Sequence, residues 1–175
     1  RLFGQIGFQK TTVGDIAREL RMSPANVYRF FSAKAEINEA VGRRLLSEVE
    51  AAVNDIVKHS GQAKEKLRAF IATIEKANAQ RFASNRKLHE LLETAFNENW
   101  SIAQEHVQNL DEALAEIISQ GNRAGEFHVE DCERESILVR TACMQFYHPW
   151  LMVYRAEEPE PTIDQMVDFC IAALA

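Results

Sequence analysis

Apolar residues recur at intervals of three and four along most of this 175-residue sequence. That spacing places apolar side chains on one face of an α-helix. No stretch alternates polar and apolar residues for long enough to predict a β-strand. The sequence therefore predicts an all-α protein of eight or nine helices, and the periodicity is clearest in three groups: Leu67, Phe70, Ile71 and Ile74; Leu88, Leu91, Leu92 and Phe96; Val107, Leu110, Leu114 and Ile117.

Two short helices are predicted near the N-terminus. Thr12 and Asp15 form a T-x-x-D variant of the capping box, which predicts the start of the first. Ser23 followed by Pro24 predicts the N-cap and first residue of the second, which we expect to end near residue 30 or 31. Two short helices joined by a tight turn are typical of a helix-turn-helix.

Longer helices follow. Ser32 predicts the cap of the next helix, Gly125 the end of another, and the T-x-x-Q box at Thr162 the start of the last. Pro149 predicts a kink or a broken hydrogen bond within its helix. We expect these helices over residues 33–59, 100–124, 131–155 and 162–174.

The charge is distributed unevenly. The formal net charge is −6, yet residues 1–46 carry a net +4 and residues 47–175 a net −10. Such asymmetry is expected when one end of a chain meets a polyanion, although a chance cluster on a solvated surface gives the same pattern.

Other features limit the function class. Hydrophobic residues make up 46% and charged residues 26%, as in ordinary globular proteins. The longest apolar run, 170–175, is far shorter than a membrane helix, and no secretory signal opens the sequence. The three cysteines are isolated, and His89 with Glu93 predicts a surface pair rather than a metal site. We expect a cytoplasmic protein with no membrane partner, no cofactor, no metal and no enzymatic activity, because no catalytic motif is present.

The second short helix is the candidate DNA reader. We expect Val27 and Phe30 to point inward by their spacing, and a further set to face DNA. Arg29 suits guanine, Asn26 suits adenine and Ala25 suits a thymine methyl, while Tyr28, Thr12 and Lys34 suit phosphates. The DNA-binding set is Thr12, Ser23, Pro24, Ala25, Asn26, Tyr28, Arg29 and Lys34.

The N-terminal motifs resemble the DNA-binding domain of TetR-family transcriptional regulators. The motifs are Leu2-Phe3, Gly7-Phe8, Thr11-Thr12-Val13, Asp15-Ile16-Ala17, Ser23, Val27-Tyr28-Arg29-Phe30-Phe31 and Lys34. The resemblance implies phosphate contacts from Tyr28, Lys34 and Thr12, and a recognition helix from Ser23 to Arg29. It also implies a helix-turn-helix domain over residues 1–45, with an incomplete first helix, and a helical ligand-binding and dimerisation domain over residues 46–175. Arg21 stands where the family usually has glycine, so we expect positive φ there.

The resemblance further implies a homodimer formed by the last two helices. Closure of the monomer's own core is the alternative. The residues expected at or near the interface are Ile137, Leu138, Thr141, Gln145, Met166, Phe169, Cys170 and Ala173.

Aromatic and soft side chains in the second domain suggest an apolar ligand pocket with a polar anchor at His148 or Tyr147. Ordinary core packing is the alternative for each residue. The candidate lining residues are Phe70, Phe96, Trp100, Met144, Tyr147 and His148.

These features together predict a ligand-responsive regulator, most simply a repressor. It would bind a palindromic double-stranded DNA operator as a homodimer and release it on binding a small apolar effector of unknown identity. The alternative is a helical small-molecule carrier or a protein-binding adaptor without sequence-specific DNA binding, and the positive balance of residues 1–46 argues against both.

Overall fold

The computed structural model describes residues 1–151 and 161–175, and all regular secondary structure in these ranges is helical. The helices, numbered along the chain, are α1 (Leu2–Ile6), α2 (Val13–Glu19), α3 (Pro24–Tyr28), α4 (Lys34–Lys58), α5 (Ala63–Ser84), α6 (Arg86–Asn97), α7 (Ser101–Ala124), α8 (Cys132–Ala142), α9 (Met144–Tyr147) and α10 (Ile163–Leu174). The all-α prediction is confirmed.

Most predicted helix starts are confirmed at the atomic level. The Thr12 hydroxyl accepts from the Asp15 N–H at 3.1 Å, and the Asp15 carboxylate accepts from the Thr12 N–H at 3.0 Å. The Thr162 capping box forms the same reciprocal pair with Gln165. Each box satisfies backbone N–H groups that a helix start leaves without partners.

The turn between α2 and α3 is a Schellman motif. Arg21 has φ +55°, its N–H donates to the Arg18 carbonyl at 3.1 Å, and the Met22 N–H donates to the Ala17 carbonyl at 2.9 Å. These are the two bonds that end a helix through one left-handed residue. The positive φ expected at Arg21 is confirmed, and a bulky residue adopts it at a cost that glycine avoids.

Two predicted boundaries are wrong. Ala33, not Ser32, is the N-cap of α4, and the Ser32 backbone N–H instead donates to the Glu36 carboxylate at 2.8 Å. The helix expected over residues 131–155 is divided by breaks at Cys143 and His148, and its end lies outside the described residues. The break at His148 directly precedes Pro149, because a proline disfavours helical backbone in the residue before it.

Helix α4 belongs to both halves of the molecule. Ile37 packs in an N-terminal cluster with Phe3, Val13 and Val27. Farther along the same helix, Val53 packs in the larger core formed mainly by α5, α7, α8, α9 and α10. A rigid helix shared by two cores transmits displacement from one to the other.

Helices α4 and α7 approach closely where Gly42 faces Ile102. A β-carbon at Gly42 would lie 2.5 Å from the Ile102 Cδ1 atom, so only glycine fits without movement of that side chain.

No helix within residues 1–151 and 161–175 is both long and apolar enough to cross a membrane. The same ranges contain no cluster of three or more His, Cys, Asp or Glu side chains arranged to hold a metal.

Candidate nucleic-acid interface and ligand cavity

Helices α2 and α3 form a compact helix-turn-helix. Ala17 of α2 and Val27 of α3 are buried in the N-terminal cluster, which fixes how the two helices cross. The Ser23 hydroxyl accepts from the Asn26 N–H at 3.2 Å and caps α3, with Pro24 at the first helical position. Burial of Val27 agrees with the inward position expected for it.

The outer face of α3 carries the candidate DNA-reading residues. Pro24, Ala25 and Arg29 are exposed, and Tyr28 is 52% exposed. Asn26 is half-buried, and its Nδ2 atom lies 3.8 Å from the Met22 sulfur. That contact is weak, so the Asn26 amide can rotate toward a base.

Phe30 does not point inward as its spacing predicts. It is 71% exposed, whereas the next residue, Phe31, is half-buried against the N-terminal cluster. Helix α3 ends at Tyr28, and the Phe30 and Phe31 N–H groups both donate to the Val27 carbonyl. Helical spacing does not extend beyond the last helical residue, so Phe31 rather than Phe30 packs against the N-terminal cluster.

Thr12 and Lys34 lie at the two helix starts that flank α3. The Thr12 hydroxyl donates to the Asp15 carboxylate at 2.6 Å, and this hydrogen bonding lowers the pKa of Asp15. The Lys34 ammonium donates to the Gln9 carbonyl at 3.1 Å, which ties the start of α4 to the loop before α2. Both side chains remain at the surface, where a phosphate could replace these contacts.

The positive charge of the N-terminal segment is only partly neutralised. Arg1 pairs with Glu19 at 2.9 Å, and Arg18 pairs with Asp15 at 3.1 Å. Within the described ranges, the cations that form no ion pair include Lys10, Arg21 and Arg29. Unpaired surface cations in this segment favour a polyanionic partner.

A second candidate site is a cavity of about 80 Å³ in the C-terminal domain. Four of the six predicted lining residues surround it: Phe96, Met144, Tyr147 and His148. The other two lie elsewhere. Phe70 is fully buried in the main core, and Trp100 packs edge-on against Phe8 at a centroid distance of 6.4 Å.

Two polar atoms at the cavity are unsatisfied. Considering the residues that the structure describes, neither the Tyr147 hydroxyl nor Nδ1 of His148 has a hydrogen-bond partner. Burial raises the pKa of Tyr147 well above its ordinary value and lowers the pKa of His148. Both side chains are therefore uncharged at neutral pH.

Sequence reasoning missed three polar residues of the cavity: Asn78, His106 and Arg140. Asn78 donates to the Tyr147 carbonyl at 2.7 Å, and Arg140 pairs with Asp111 at 2.6 Å. Nδ1 of His106 lies 2.6 Å from a Glu50 carboxylate oxygen, and this bond lowers the pKa of Glu50. They lie on three different helices, and the sequence gives no signal that these helices meet.

His89 is another residue placed wrongly from the sequence. It is buried rather than at the surface, and its Nε2 lies 3.0 Å from the Pro149 carbonyl oxygen. Its ring also packs edge-on against Phe82, and burial lowers the pKa of His89. His89 therefore links α6 to the segment that follows α9.

The outer faces of α8 and α10 carry most of the residues expected at a dimer interface, while Gln145 lies on α9. Ile137, Leu138 and Phe169 are 46%, 50% and 65% exposed, and Thr141 and Ala173 are also exposed. Gln145 and Met166 are half-buried. Cys170 does not belong to this face, because its side chain is buried with its sulfur 3.9 Å from that of Cys143.

Both domains of the chain match known protein families. The family described as "Bacterial regulatory proteins, tetR family" matches residues 1–41, and the family described as "Tetracyclin repressor-like, C-terminal domain" matches residues 63–168. The HTH-type transcriptional regulator BetI of Brucella canis is 35% identical over 72 residues, which cover 41% of this chain and 36% of BetI. The match therefore spans about a third of that relative.

Solved structures share the fold along the whole chain. FadR from Bacillus subtilis, in complex with stearoyl-CoA, aligns with a TM-score of 0.65 at 15% identity, covering 98% of this chain and 91% of FadR. AibR, in complex with isovaleryl coenzyme A and operator DNA, aligns with a TM-score of 0.53 at 19% identity, covering 99% of this chain and 92% of AibR. With both family descriptions matched in chain order, this chain belongs to the TetR family of bacterial regulatory proteins.

Proposed function

We propose that this protein is a DNA-binding transcriptional regulator that reads duplex DNA with α3. The observation that carries the proposal is the outer face of the capped helix-turn-helix, where Tyr28 and the unpaired Arg29 are exposed. The fold is shared with AibR, which was solved with operator DNA, and 72 residues of this chain are 35% identical to BetI, a transcriptional regulator.

Each residue has a distinct role in this proposal. Arg29 donates two hydrogen bonds to guanine, and Ala25 contacts a thymine methyl. The Asn26 amide rotates away from the Met22 sulfur and pairs with adenine. Ser23 and Pro24 fix the start of α3 through the cap and the first helical position. Thr12, Tyr28 and Lys34 contact phosphates, which set the register without reading sequence.

The functional unit is proposed to be a homodimer. Leu138 of α8 and Phe169 of α10 are large apolar side chains left half or more exposed, and a second copy would cover them. Ile137, Thr141 and Ala173 would surround this pair, with Gln145 and Met166 at its edge. Two recognition helices related by a two-fold axis read a palindromic operator.

Regulation is proposed to follow from the cavity. A small apolar effector that prefers the DNA-incompetent conformation would displace α4 and, with it, the recognition helices. Loss of the spacing set by one DNA turn would then release the operator, so the protein acts as a repressor. Such a regulator works in the cytoplasm, where bacterial DNA lies, and is not an enzyme.

The test measures binding of the purified protein to fluorescently labelled duplex DNA by anisotropy at increasing salt. We expect log Kd to rise linearly with log salt concentration, because bound cations displace counterions from DNA. Arg29→Ala is the test variant, and it should weaken binding. Lys58→Ala, which removes an exposed cation from the far end of α4, is the control and leaves binding unchanged. Absence of salt-sensitive binding would favour a carrier or an adaptor.

A further inference from the structure

A surface groove lies directly beside the cavity. The groove has a volume of about 820 Å³ and runs along α7 and α8. Phe96 and Val107 line both the groove and the cavity, so these two side chains form the wall between them. Movement of Phe96 would join the two spaces. Phe96 is half-buried, with its ring edge-on to His106 at 6.1 Å and to His148 at 5.5 Å between centroids.

The cavity has an unmet hydrogen-bonding need. Tyr147 is 91% buried, since only 9% of its surface is exposed, and its hydroxyl has no partner within the described ranges. Most of the other lining side chains are aliphatic or aromatic, including Val49, Ile74 and Leu110. A buried hydroxyl without a partner is destabilising, and a ligand oxygen beside it would remove that penalty. The walls thus suit an apolar body with one oxygen.

Arg140 and His106, which line the cavity, are already bonded to carboxylates. Arg140 is paired with Asp111 at 2.6 Å, and His106 is bonded to Glu50 at 2.6 Å. Nδ1 of His148 is unpaired among the described residues and belongs to an imidazole that burial keeps neutral. Among the described residues that line the cavity, no unpaired charge is left to neutralise a charged ligand group, and burying such a group without one is unfavourable.

We propose that this cavity binds a neutral, largely apolar small molecule with one carbonyl or hydroxyl oxygen that hydrogen-bonds to the Tyr147 hydroxyl, and that the ligand enters from the groove by displacing Phe96. The proposal rests on the proposed effector-responsive function and names the class of effector. Displacement is required because a cavity of about 80 Å³ is smaller than the about 150 Å³ that accommodates benzene.

Four probes of similar size test the chemistry. Acetophenone has a carbonyl, ethylbenzene lacks one, benzoate is an anion and benzylamine is a cation at neutral pH. Kd for each is measured by calorimetry and by the rise in Tm that ligand binding produces. We expect acetophenone to bind, and benzoate and benzylamine to bind at least tenfold more weakly. Equal or tighter binding of either ion would overturn the neutral class, and failure of acetophenone to bind would overturn the proposal.

The variant Tyr147→Phe tests the hydrogen bond. Acetophenone's affinity relative to ethylbenzene should fall about 2- to 12-fold in this variant, the effect of one neutral hydrogen bond. Comparing two ligands in two proteins cancels general changes in packing. Trp100→Phe is the control, because Trp100 is an aromatic hydrogen-bond donor outside the cavity lining, and it should keep the wild-type ratio. An unchanged ratio in Tyr147→Phe, or an equal fall in Trp100→Phe, would contradict the assignment.

The variant Phe96→Ala tests the access route. It should admit butyrophenone, a longer ketone, with at least tenfold tighter binding than the wild-type protein, since the wall to the groove is removed. Equal affinity and equal association rates in both proteins would contradict access through Phe96. Because these readouts need no DNA, their failure leaves the anisotropy test of DNA binding intact, and the two outcomes are distinguishable.

Discussion

Nδ1 of His106 lies 2.6 Å from a carboxylate oxygen of Glu50, and this bond joins α7 to α4, two helices that both line the cavity. Glu50 also accepts from the Asn109 side chain at 3.0 Å, so α7 holds it at two points. Helix α4 begins at Lys34, whose ammonium is bonded to the Gln9 carbonyl beside the helix-turn-helix. A ligand that displaces His106 therefore acts directly on the helix that positions the DNA-binding domain.

Glu50→Ala should uncouple ligand from DNA. The ratio of operator affinities without and with acetophenone should lie between about 5 and 150 in the wild-type protein and approach 1 in the variant. The ligand's own Kd, measured without DNA, should change much less, because Glu50 does not line the cavity. Anisotropy titrations with and without ligand measure the ratio.

The matched control is Glu105→Ala. Glu105 also joins α7 to α4, through a salt bridge with Arg43, but Arg43 does not line the cavity, whereas His106, the partner of Glu50, does. Its removal should leave the coupling ratio near the wild-type value. Equal loss of coupling in both variants would show that general loosening of α4, rather than the His106 contact, is responsible.

Acid should weaken the contact between His106 and Glu50. The hydrogen bond from His106 holds the pKa of Glu50 below its ordinary value of 4.5. A carboxyl with a lowered folded-state pKa stabilises the fold above its unfolded-state pKa, and that stability is lost as pH falls through the folded-state pKa. The difference in unfolding free energy between wild type and Glu50→Gln should therefore shrink as pH falls from about 5 to about 3 in urea titrations. A difference independent of pH would contradict this role.

Variants at the proposed phosphate contacts and variants at the proposed base contacts should have different effects in binding assays. Tyr28→Phe and Lys34→Ala should weaken binding to operator and random duplexes alike, and Lys34→Ala should lower the salt slope by about 1. Arg29→Ala and Asn26→Ala should cost about 1–3 kcal/mol on the operator and also reduce sequence preference. Competition titrations with the two duplexes measure both effects. Equal losses on both duplexes for all four variants would contradict the assigned roles.

Glycine in place of Arg21 should relieve backbone strain in the turn between α2 and α3. Arg21 has φ +55°, a conformation that costs a non-glycine residue about 1–2 kcal/mol. Glycine regains this but loses more backbone entropy on folding, so Arg21→Gly should stabilise the protein by about 0.5–1 kcal/mol. Asn99→Gly is the control, because Asn99 has the same φ of +55° but asparagine tolerates it better. Thermal unfolding that shows the larger gain at Asn99 would contradict this account of the turn.

A charge on the outer face of α8 should disrupt the proposed dimer. Leu138→Glu would bury a carboxylate against a second copy, and the Kd of dimerisation should rise at least tenfold in sedimentation experiments. Leu20→Glu is the control, since Leu20 is 56% exposed and Leu138 50% exposed, but Leu20 lies at the end of α2. Dissociation by both variants, or by neither, would place the interface elsewhere.

Local signals in the sequence predicted the fold well. The capping boxes at Thr12 and Thr162, the left-handed residues at Arg21 and Gly125, and the helical periodicity depend on residues close together in the sequence. The same reasoning failed at Phe30, because spacing predicts an inward face only while the helix continues. It failed at Ser32 because the hydroxyl bonds to Glu36 instead.

The cavity was only partly predictable. Phe96, Met144, Tyr147 and His148 stand out as aromatic or soft residues, but so does Phe70, which is a core residue. His106 and Asn78 were missed because their roles depend on which helices meet. Contacts such as His106 to Glu50 join residues 56 positions apart, and periodicity carries no information about such pairs.

Selection of bound duplexes from a random DNA library, by the purified protein at two salt concentrations, tests whether the protein reads DNA sequence as a dimer. We expect enrichment of a palindrome, with affinity that falls steeply as salt rises. Recovery of no preferred sequence at either salt, by protein shown to be folded and free of ligand, would contradict it.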